Sequence, residues 1–261
     1  MGLGGDFMIT SNVNNNTGMK NLQMEMLRMS TARKINSAAD DAVGLSISEK
    51  LLSQSNGYSQ ANRNVEDAQS ASSVADGGLS GVQDNLQRIR ELSVQASNGT
   101  YSDDDKSSIQ NEIEQLKYSI TDQVKGTEFN TIKLLDNTSN INLATNPSGT
   151  GMSMKMVDTS LETLGIAGFD VTKNFSINSI DDAISKVTNS RTNFGSTSNR
   201  LDSVKSSNDI TNHNLIASMS RMTDTDYGKS IKDYTTQNAL NQYSYMAMQS
   251  NIQQNAISAQ V

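Results

Sequence analysis

Residues 44–98 read GLSISEKLLSQSNGYSQANRNVEDAQSASSVADGGLSGVQDNLQRIRELSVQASN and contain no proline. Their apolar residues keep one heptad register for about eight repeats. One position of the register holds Leu51, Tyr58, Val65, Ser72, Leu79, Leu86 and Ser93. The position three residues later is mostly alanine, as at Ala61, Ala68 and Ala75. Large residues beside small ones predict a long helix packed closely on a partner helix and ending at Asn98–Gly99.

A second heptad stretch supplies the predicted partner helix. Residues seven apart are Ile180, Val187, Phe194, Leu201, Asn208, Leu215 and Met222. The polar Asn208 is expected to fix the register of the pair. The predicted coiled-coil seam consists of Leu51, Tyr58, Val65, Leu79, Leu86, Ile180, Val187, Phe194, Leu201 and Leu215.

The composition favours thin helical packing over a large globular core. Only 34% of the 261 residues are hydrophobic, there is no Trp, and the chain has one proline. The net charge of −7 argues against nucleic acid or an anionic membrane as partner, because both attract basic surfaces. No apolar run approaches the length of a membrane span. The first residues lack the features of a secretory signal, so we expect any export to use another route.

The shorter segments predict further helices and one small β unit. Met19, Leu22, Met26 and Met29 give helical spacing from Thr17, and they face either a core or an intermolecular seam. Ile35 to Gly44 is predicted to be a connector. Ser102 before three aspartates predicts a capped helix that folds back on the long one. Period-two alternation within 137–172 predicts a hairpin. Residues 227–261 predict a helix that is marginal alone.

Residues for catalysis are missing from this sequence. There is no cysteine, and His213 is the only histidine, so a typical zinc site and the usual nucleophile–base pairs are missing. Gly77–Gly78 follows no phosphate-binding pattern, and Asp40 and Asp41 are expected to solvate the turn and to favour the N-terminus of the following helix. We predict no enzyme activity, no catalytic or cofactor-binding residues, no metal and no cofactor.

Several long motifs resemble bacterial flagellin. They occur in the order expected for that family, from about Asn14 to Gln254. The motifs are INSAADDAVGLSISEK at 35–50, LQRIRELSVQASNG at 86–99, TEFN at 127–130 with KLL at 133–135, NRL at 199–201 and SRMTDTD at 220–226.

The resemblance implies a mainly α fold, a long antiparallel helical bundle or coiled coil built from the N- and C-terminal halves. A small β-hairpin region at about 137–172 would lie in the middle. Residues 1–43 and 222–261 would form the inner domain, and 44–221 the outer domain. Relatives often carry extra variable domains between the halves. This sequence resembles a short form without them.

The resemblance also implies the function and the partners. The chain would polymerise with copies of itself into the extracellular flagellar filament for motility, after unfolded export by the flagellar type III system. Its other partners would be an export chaperone, the hook–filament junction and cap proteins, and a vertebrate Toll-like receptor for flagellin. The receptor contacts of the family fall on Arg88, Leu92 and Glu112, with Arg88 and Leu92 expected on an outward face. The alternatives are a monomeric signalling ligand or adhesin, and the hook–filament junction protein.

Three features depart from the usual flagellin pattern. Residues 1–13 lack the usual opening, and the tail from Gln253 lacks the usual ending. Ala32–Arg33–Lys34 stands where Gly-Leu-Arg is common. All three lie in the expected inner domain.

Overall fold

The computed structural model describes the backbone of residues 3–258 and the side chains of residues 17–254 and 257. The mainly α fold with small hairpins in the middle is confirmed. The helices are α1 (Leu3–Thr31), α2 (Ala42–Ala96), α3 (Asp103–Gly126), α4 (Leu161–Leu164), α5 (Asn178–Thr223) and α6 (Tyr227–Ser258). The strands are β1 (Glu128–Phe129), β2 (Ile132–Lys133), β3 (Asn140–Ala144) and β4 (Gly151–Lys155).

The chain forms two compact units. Unit 1 consists of Met1–Ser53 and Asn214–Val261, and unit 2 consists of Gln54–His213. The helices α2 and α5 each contribute residues to both units, so each unit combines parts of both halves of the sequence.

Unit 2 is built on α2, with α5 and α3 packed against it in antiparallel directions. Contacts between α2 and α5 join Glu66 to Lys205 and Arg90 to Asp181. Gln123 near the end of α3 lies beside Gly81 of α2, where an added Cβ would meet its side chain at 2.1 Å. The predicted pairing of the two heptad stretches and the fold-back of the shorter helix are therefore both confirmed.

The start of α3 follows from its first residues. The Ser102 Oγ accepts a hydrogen bond from the Asp105 backbone amide at 3.2 Å, and the Asp105 carboxylate accepts one from the Ser102 amide at 3.0 Å. This reciprocal arrangement is the predicted capping box. The Ser102 hydroxyl and backbone amide lower the pKa of Asp105, because both stabilise the charged carboxylate.

Two antiparallel hairpins follow α3. The β3–β4 pair, with Ile141 opposite Met154, is the hairpin predicted within 137–172. The β1–β2 pair was not predicted. Its two turn residues, Asn130 and Thr131, have φ angles of 48° and 67°, the left-handed pair that a tight hairpin turn requires.

In unit 1, α1 runs antiparallel to α6. Near one end the Tyr227 hydroxyl donates to the Met29 carbonyl at 2.8 Å, and further along Gly18 lies against Asn241. The helix α1 begins at Leu3, earlier than the helical spacing from Thr17 indicates. Residues 3–16 show no clear helical periodicity, but they contain no proline to interrupt a helix. Met1 and Gly2, part of the atypical opening, lie outside the described residues.

The connector between α1 and α2 is held by backbone and side-chain hydrogen bonds. The Lys34 amide donates to the Thr223 carbonyl at 2.8 Å, and the Thr225 amide donates to the Ala32 carbonyl at 3.0 Å. The Asp40 carboxylate accepts from the amides of Asn36 and Ser37, which lowers its pKa. Asp40 thus stabilises the turn that precedes α2, and its contacts are those of a structural residue.

Candidate interaction surfaces

Most of the predicted seam residues lie in the interior of unit 2. The fully buried ones are Val65, Leu79, Leu86, Ile180, Val187, Phe194 and Leu201. Leu51 and Leu215, in unit 1, are partly exposed, and so is Tyr58. The small residues of the second register position, Ala61, Ala68 and Ala75, are buried as well. Their size allows the helices to approach closely.

A polar ladder continues this interface between 55–69 of α2 and 202–212 of α5. The Ser55 hydroxyl donates to Asn212 Oδ1 at 2.6 Å, and Lys205 Nζ lies 2.6 Å from Glu66 Oε1. Sequence reasoning missed the ladder, although its residues repeat at alternating spacings of three and four. They are Ser55, Ser59, Asn62, Glu66 and Gln69 on α2, and Asp202, Lys205, Asp209 and Asn212 on α5.

The buried Asn208 has a different contact from the one its heptad position indicates. Its amide group donates to the Thr145 carbonyl of the region after β3 at 2.9 Å. This hydrogen bond ties α5 to the β3–β4 hairpin, whereas the register prediction expected a contact along the helix pair.

Arg88 and Glu112, two of the three residues assigned to receptor binding, contact each other. Arg88 Nη2 and Nε lie 2.8 Å and 3.1 Å from Glu112 Oε1, joining α2 to α3. Arg88 Nη1 also lies 3.1 Å from Glu91 Oε2. The Glu112 carboxylate, and next the Glu91 carboxylate, raise the pKa of Arg88. Both partners of the interhelix pair are about half exposed.

Leu92, the third residue that the resemblance assigns to receptor binding, is buried, with 2% of its surface exposed. The expectation that it faces outward is wrong. It belongs to the apolar cluster that also contains Ile89, Ala96, Ile109 and Ile113. Because α3 covers a second face of α2, the buried stripe is wider than the two seams that heptad counting assigns to a single partner helix.

Unit 1 shows the opposite distribution of apolar side chains. Among the side chains that the structure describes, Ile35 is the one hydrophobic residue of unit 1 that is buried. Large hydrophobic side chains are instead exposed along both of its helices. On α1 they are Met19, Met24, Met26 and Leu27, and on α6 they are Tyr227, Ile231, Leu240, Tyr243, Tyr245, Met246, Ile252 and Ile257. Such surfaces on a helix pair are typical of contact sites.

The remaining side chains do not form a catalytic or metal-binding cluster where they are described. In residues 17–254 and 257, no group of three His, Asp or Glu residues could hold a metal ion. His213 is exposed on α5. Between residues 3 and 258, no helix combines the length and the apolar character of a membrane span.

Comparisons with known proteins relate the chain to bacterial flagellins. Residues 7–140 match the model of the bacterial flagellin N-terminal helical region, and 177–258 match that of the C-terminal helical region. The chain is 35% identical to a flagellin of Halalkalibacterium halodurans over 254 residues, covering 94% of this chain and 92% of that protein. It is 39% identical to the phase 1 flagellin of Salmonella naestved over 166 residues, which span only 32% of the Salmonella protein.

Solved structures show the same fold. Bacillus cereus flagellin matches with a TM-score of 0.51 and 32% identity, covering 56% of this chain and 88% of that one. A protein described as flagellar hook-associated, from Vibrio parahaemolyticus, matches with a TM-score of 0.61 over 71% of this chain, but at 18% identity this likeness concerns the fold alone. The chain therefore belongs to the bacterial flagellin family, whose members are structural proteins, not enzymes, and build the extracellular filament of the flagellum.

Proposed function

We propose that the two units of this filament subunit have different roles in assembly. Unit 2 has its own apolar core and folds before assembly. Unit 1 contributes the helices that are buried between copies of the chain. The observation that carries the proposal is the contrast between the buried side chains of unit 2 and the exposed ones of α1 and α6. Burying apolar surface is the main favourable term in association, so these helices gain most from polymerisation.

The domain bounds follow from the same division. We assign residues 1–43 and 222–261 to the inner domain of the subunit, and 44–221 to the outer domain. The separation of the chain into two compact units near residues 53 and 214 supports this assignment. The exact bounds rest on the resemblance to flagellins, in which the connector at 35–44 joins the two domains.

Assembly from such a subunit couples folding to binding. A helix pair with little buried apolar surface loses more conformational entropy on folding than its own contacts recover. We therefore propose that the ends are exported unfolded by the flagellar type III system. An export chaperone would bind them before export, and the hook–filament junction and cap proteins would receive the chain outside the cell. In the filament the copies would form an open, head-to-tail lattice.

A vertebrate Toll-like receptor is the proposed partner of the free subunit. The contacts assigned by resemblance are Arg88, Leu92 and Glu112. Arg88 and Glu112 are half exposed and adjacent, so a receptor could bind both together. Leu92 would contribute indirectly, because it packs α2 against α3 and so positions the charged pair.

Seeded polymerisation tests the filament function. Purified chain is mixed with short filament fragments and viewed by negative-stain electron microscopy, and long filaments are expected. Tyr243→Asp, which places a charge on the exposed face of α6, should prevent elongation. Tyr243→Phe, which preserves the apolar ring, should not. Circular dichroism of both monomers serves as the folding control.

The outcome separates the proposal from its alternatives. A chain that stays monomeric with every seed, yet activates the receptor, would favour a signalling ligand. A chain that caps the fragments without elongating them would favour the hook–filament junction protein. Equal elongation by the Tyr243→Asp variant would contradict the role proposed for α6.

A further inference from the structure

All sulfur in this chain is in methionine, because the sequence has 13 methionines and no cysteine. Among the described methionines, the least exposed are in unit 2 and the most exposed are in unit 1, while Met29, Met152, Met219, Met222 and Met248 are partly buried. Met154 and Met156, in unit 2, are each 1% exposed, and Met154 Sδ accepts a hydrogen bond from the Ser72 hydroxyl. Four methionines of unit 1 are between 43% and 61% exposed, namely Met19, Met24, Met26 and Met246.

The exposed methionines belong to the apolar surfaces of the two unit 1 helices. Met19 and Met26 are seven residues apart and therefore lie on one face of α1. Met246 follows the exposed Tyr243 by three residues on α6. Methionine suits an adaptable contact surface because its unbranched, polarizable side chain fits many partners.

We propose that these four methionines are oxidation sites through which peroxide controls assembly. This inference rests on the proposed function, because it requires that α1 and α6 are buried between copies. In the reaction, the thioether sulfur attacks one oxygen of hydrogen peroxide and the O–O bond breaks. The sulfur is oxidised to the sulfoxide, the peroxide is reduced, and water leaves. No cysteine is present in the sequence to consume the oxidant first.

The sulfoxide opposes assembly because it makes an apolar group polar. Its oxygen is hydrated in the free subunit, and a dry contact between helices removes that water without supplying a donor. Conversely, assembly would shield the same sulfur atoms from peroxide. The modification is reversible, since methionine sulfoxide reductases restore the thioether.

The first experiment measures where the oxidant reacts. The free chain is treated with hydrogen peroxide, and the peptides are analysed by mass spectrometry over time. Met19, Met24, Met26 and Met246 should form sulfoxide before Met154 and Met156. Equal rates at the buried and exposed positions would contradict the proposal.

The second experiment measures the chain concentration needed for seeded elongation. Oxidation of the four sites should raise it about tenfold or more, as expected when polar groups are left unpaired in a contact. Reductase treatment should restore the original value. A variant with all four methionines replaced by Leu, a nearly volume-conserving change, should elongate with and without peroxide. Met152→Leu, in unit 2, is the matched control and should stay sensitive.

The outcomes distinguish this inference from the proposed function. Failure of the untreated chain to elongate would refute the function itself. Normal elongation by a fully oxidised chain would overturn only the oxidation control. Loss of elongation that the reductase cannot reverse, although it removes the sulfoxides, would also overturn it.

Discussion

The Arg88 guanidinium donates two hydrogen bonds to one oxygen of Glu112, from Nη2 at 2.8 Å and from Nε at 3.1 Å. The side chains are 49% and 48% exposed, so water and partner proteins reach both. The pair joins α2 to α3, and Leu92, four residues after Arg88 on α2, is buried. A partner that binds here therefore meets two charges that the free subunit already holds together.

Arg88→Ala should reduce receptor activation by the soluble monomer. Removing a charged contact residue near the centre of an interface typically costs tenfold or more in binding. The measurement is a cell reporter assay over a range of monomer concentrations. Arg90→Ala is the matched control, because Arg90 lies on the same helix, is similarly exposed and pairs with Asp181. The same response from wild type and Arg88→Ala would remove Arg88 from the proposed receptor site.

Leu92→Ala should destabilise unit 2 by about 3 kcal/mol, because it leaves a cavity between α2 and α3. Val94→Ala, two residues away and exposed, should change the free energy of unfolding by less than about 0.5 kcal/mol. Urea unfolding of the free chain, followed by circular dichroism, measures both. Equal stability of the two variants would mean that Leu92 does not hold the helices together.

Ala32→Gly should stabilise the connector that follows α1. Ala32 has a φ angle of 57°, a left-handed conformation that costs a residue with a Cβ about 1 kcal/mol. In the filament, where unit 1 is folded, the Thr225 amide, which donates to the Ala32 carbonyl, should then exchange with solvent about fivefold more slowly. Ala38→Gly, in the same connector but without a positive φ, should give no such protection.

Thr131→Gly should stabilise unit 2 by about 1 kcal/mol or more. A β-branched residue in the left-handed region is strained, and Asn-Gly is the preferred pair for this turn. Thermal unfolding of the free chain measures the gain. Thr138→Gly is the control at a position without positive φ. It should lower the stability of the chain, because glycine loses more conformational entropy on folding. If both variants lost stability equally, the turn would not be strained by Thr131.

Asp170→Asn should lower the free energy of unfolding at neutral pH but not in strong acid. The Thr172 hydroxyl at 2.6 Å, the Lys173 ammonium and the Thr172 amide lower the pKa of Asp170 from 3.8 to about 2. The pKa of Asp170 is lower in the folded chain than in the unfolded chain. The carboxylate therefore stabilises the fold fully above the unfolded pKa, and this stabilisation is lost as pH falls towards 2. We expect a loss of about 1 kcal/mol at pH 7, since the carboxylate is partly hydrated. Asp122→Asn, at an exposed position of α3, is the matched Asp-to-Asn control.

The sequence predicted the long helices because their packing repeats locally. Any residue seven positions from Leu79 or Leu86 on α2 occupies the same side of the helix, whatever the rest of the chain does. Leu92 was misplaced because its burial depends on α3, a third helix that joins α2 at a different face. The heptad register of one helix pair gives no information about a third helix that packs on another face.

The features that were not predicted leave too little pattern in the local sequence. The strands of the β1–β2 hairpin have two residues each, which is too short for alternation to appear. Their turn is Asn130–Thr131, without the glycine that marks such turns. The contact of Asn208 could not be anticipated either, because its acceptor on Thr145 belongs to a loop distant in sequence.

The uneven distribution of the core also decides what a melting curve of the free chain reports. The heat capacity change on unfolding scales with the apolar surface that becomes exposed, and nearly all of the buried apolar side chains are in unit 2. The calorimetric transition therefore measures unit 2, and variants of α1 and α6 will leave it almost unchanged. Their effect should be measured on the filament, where heating must first release each copy from its neighbours.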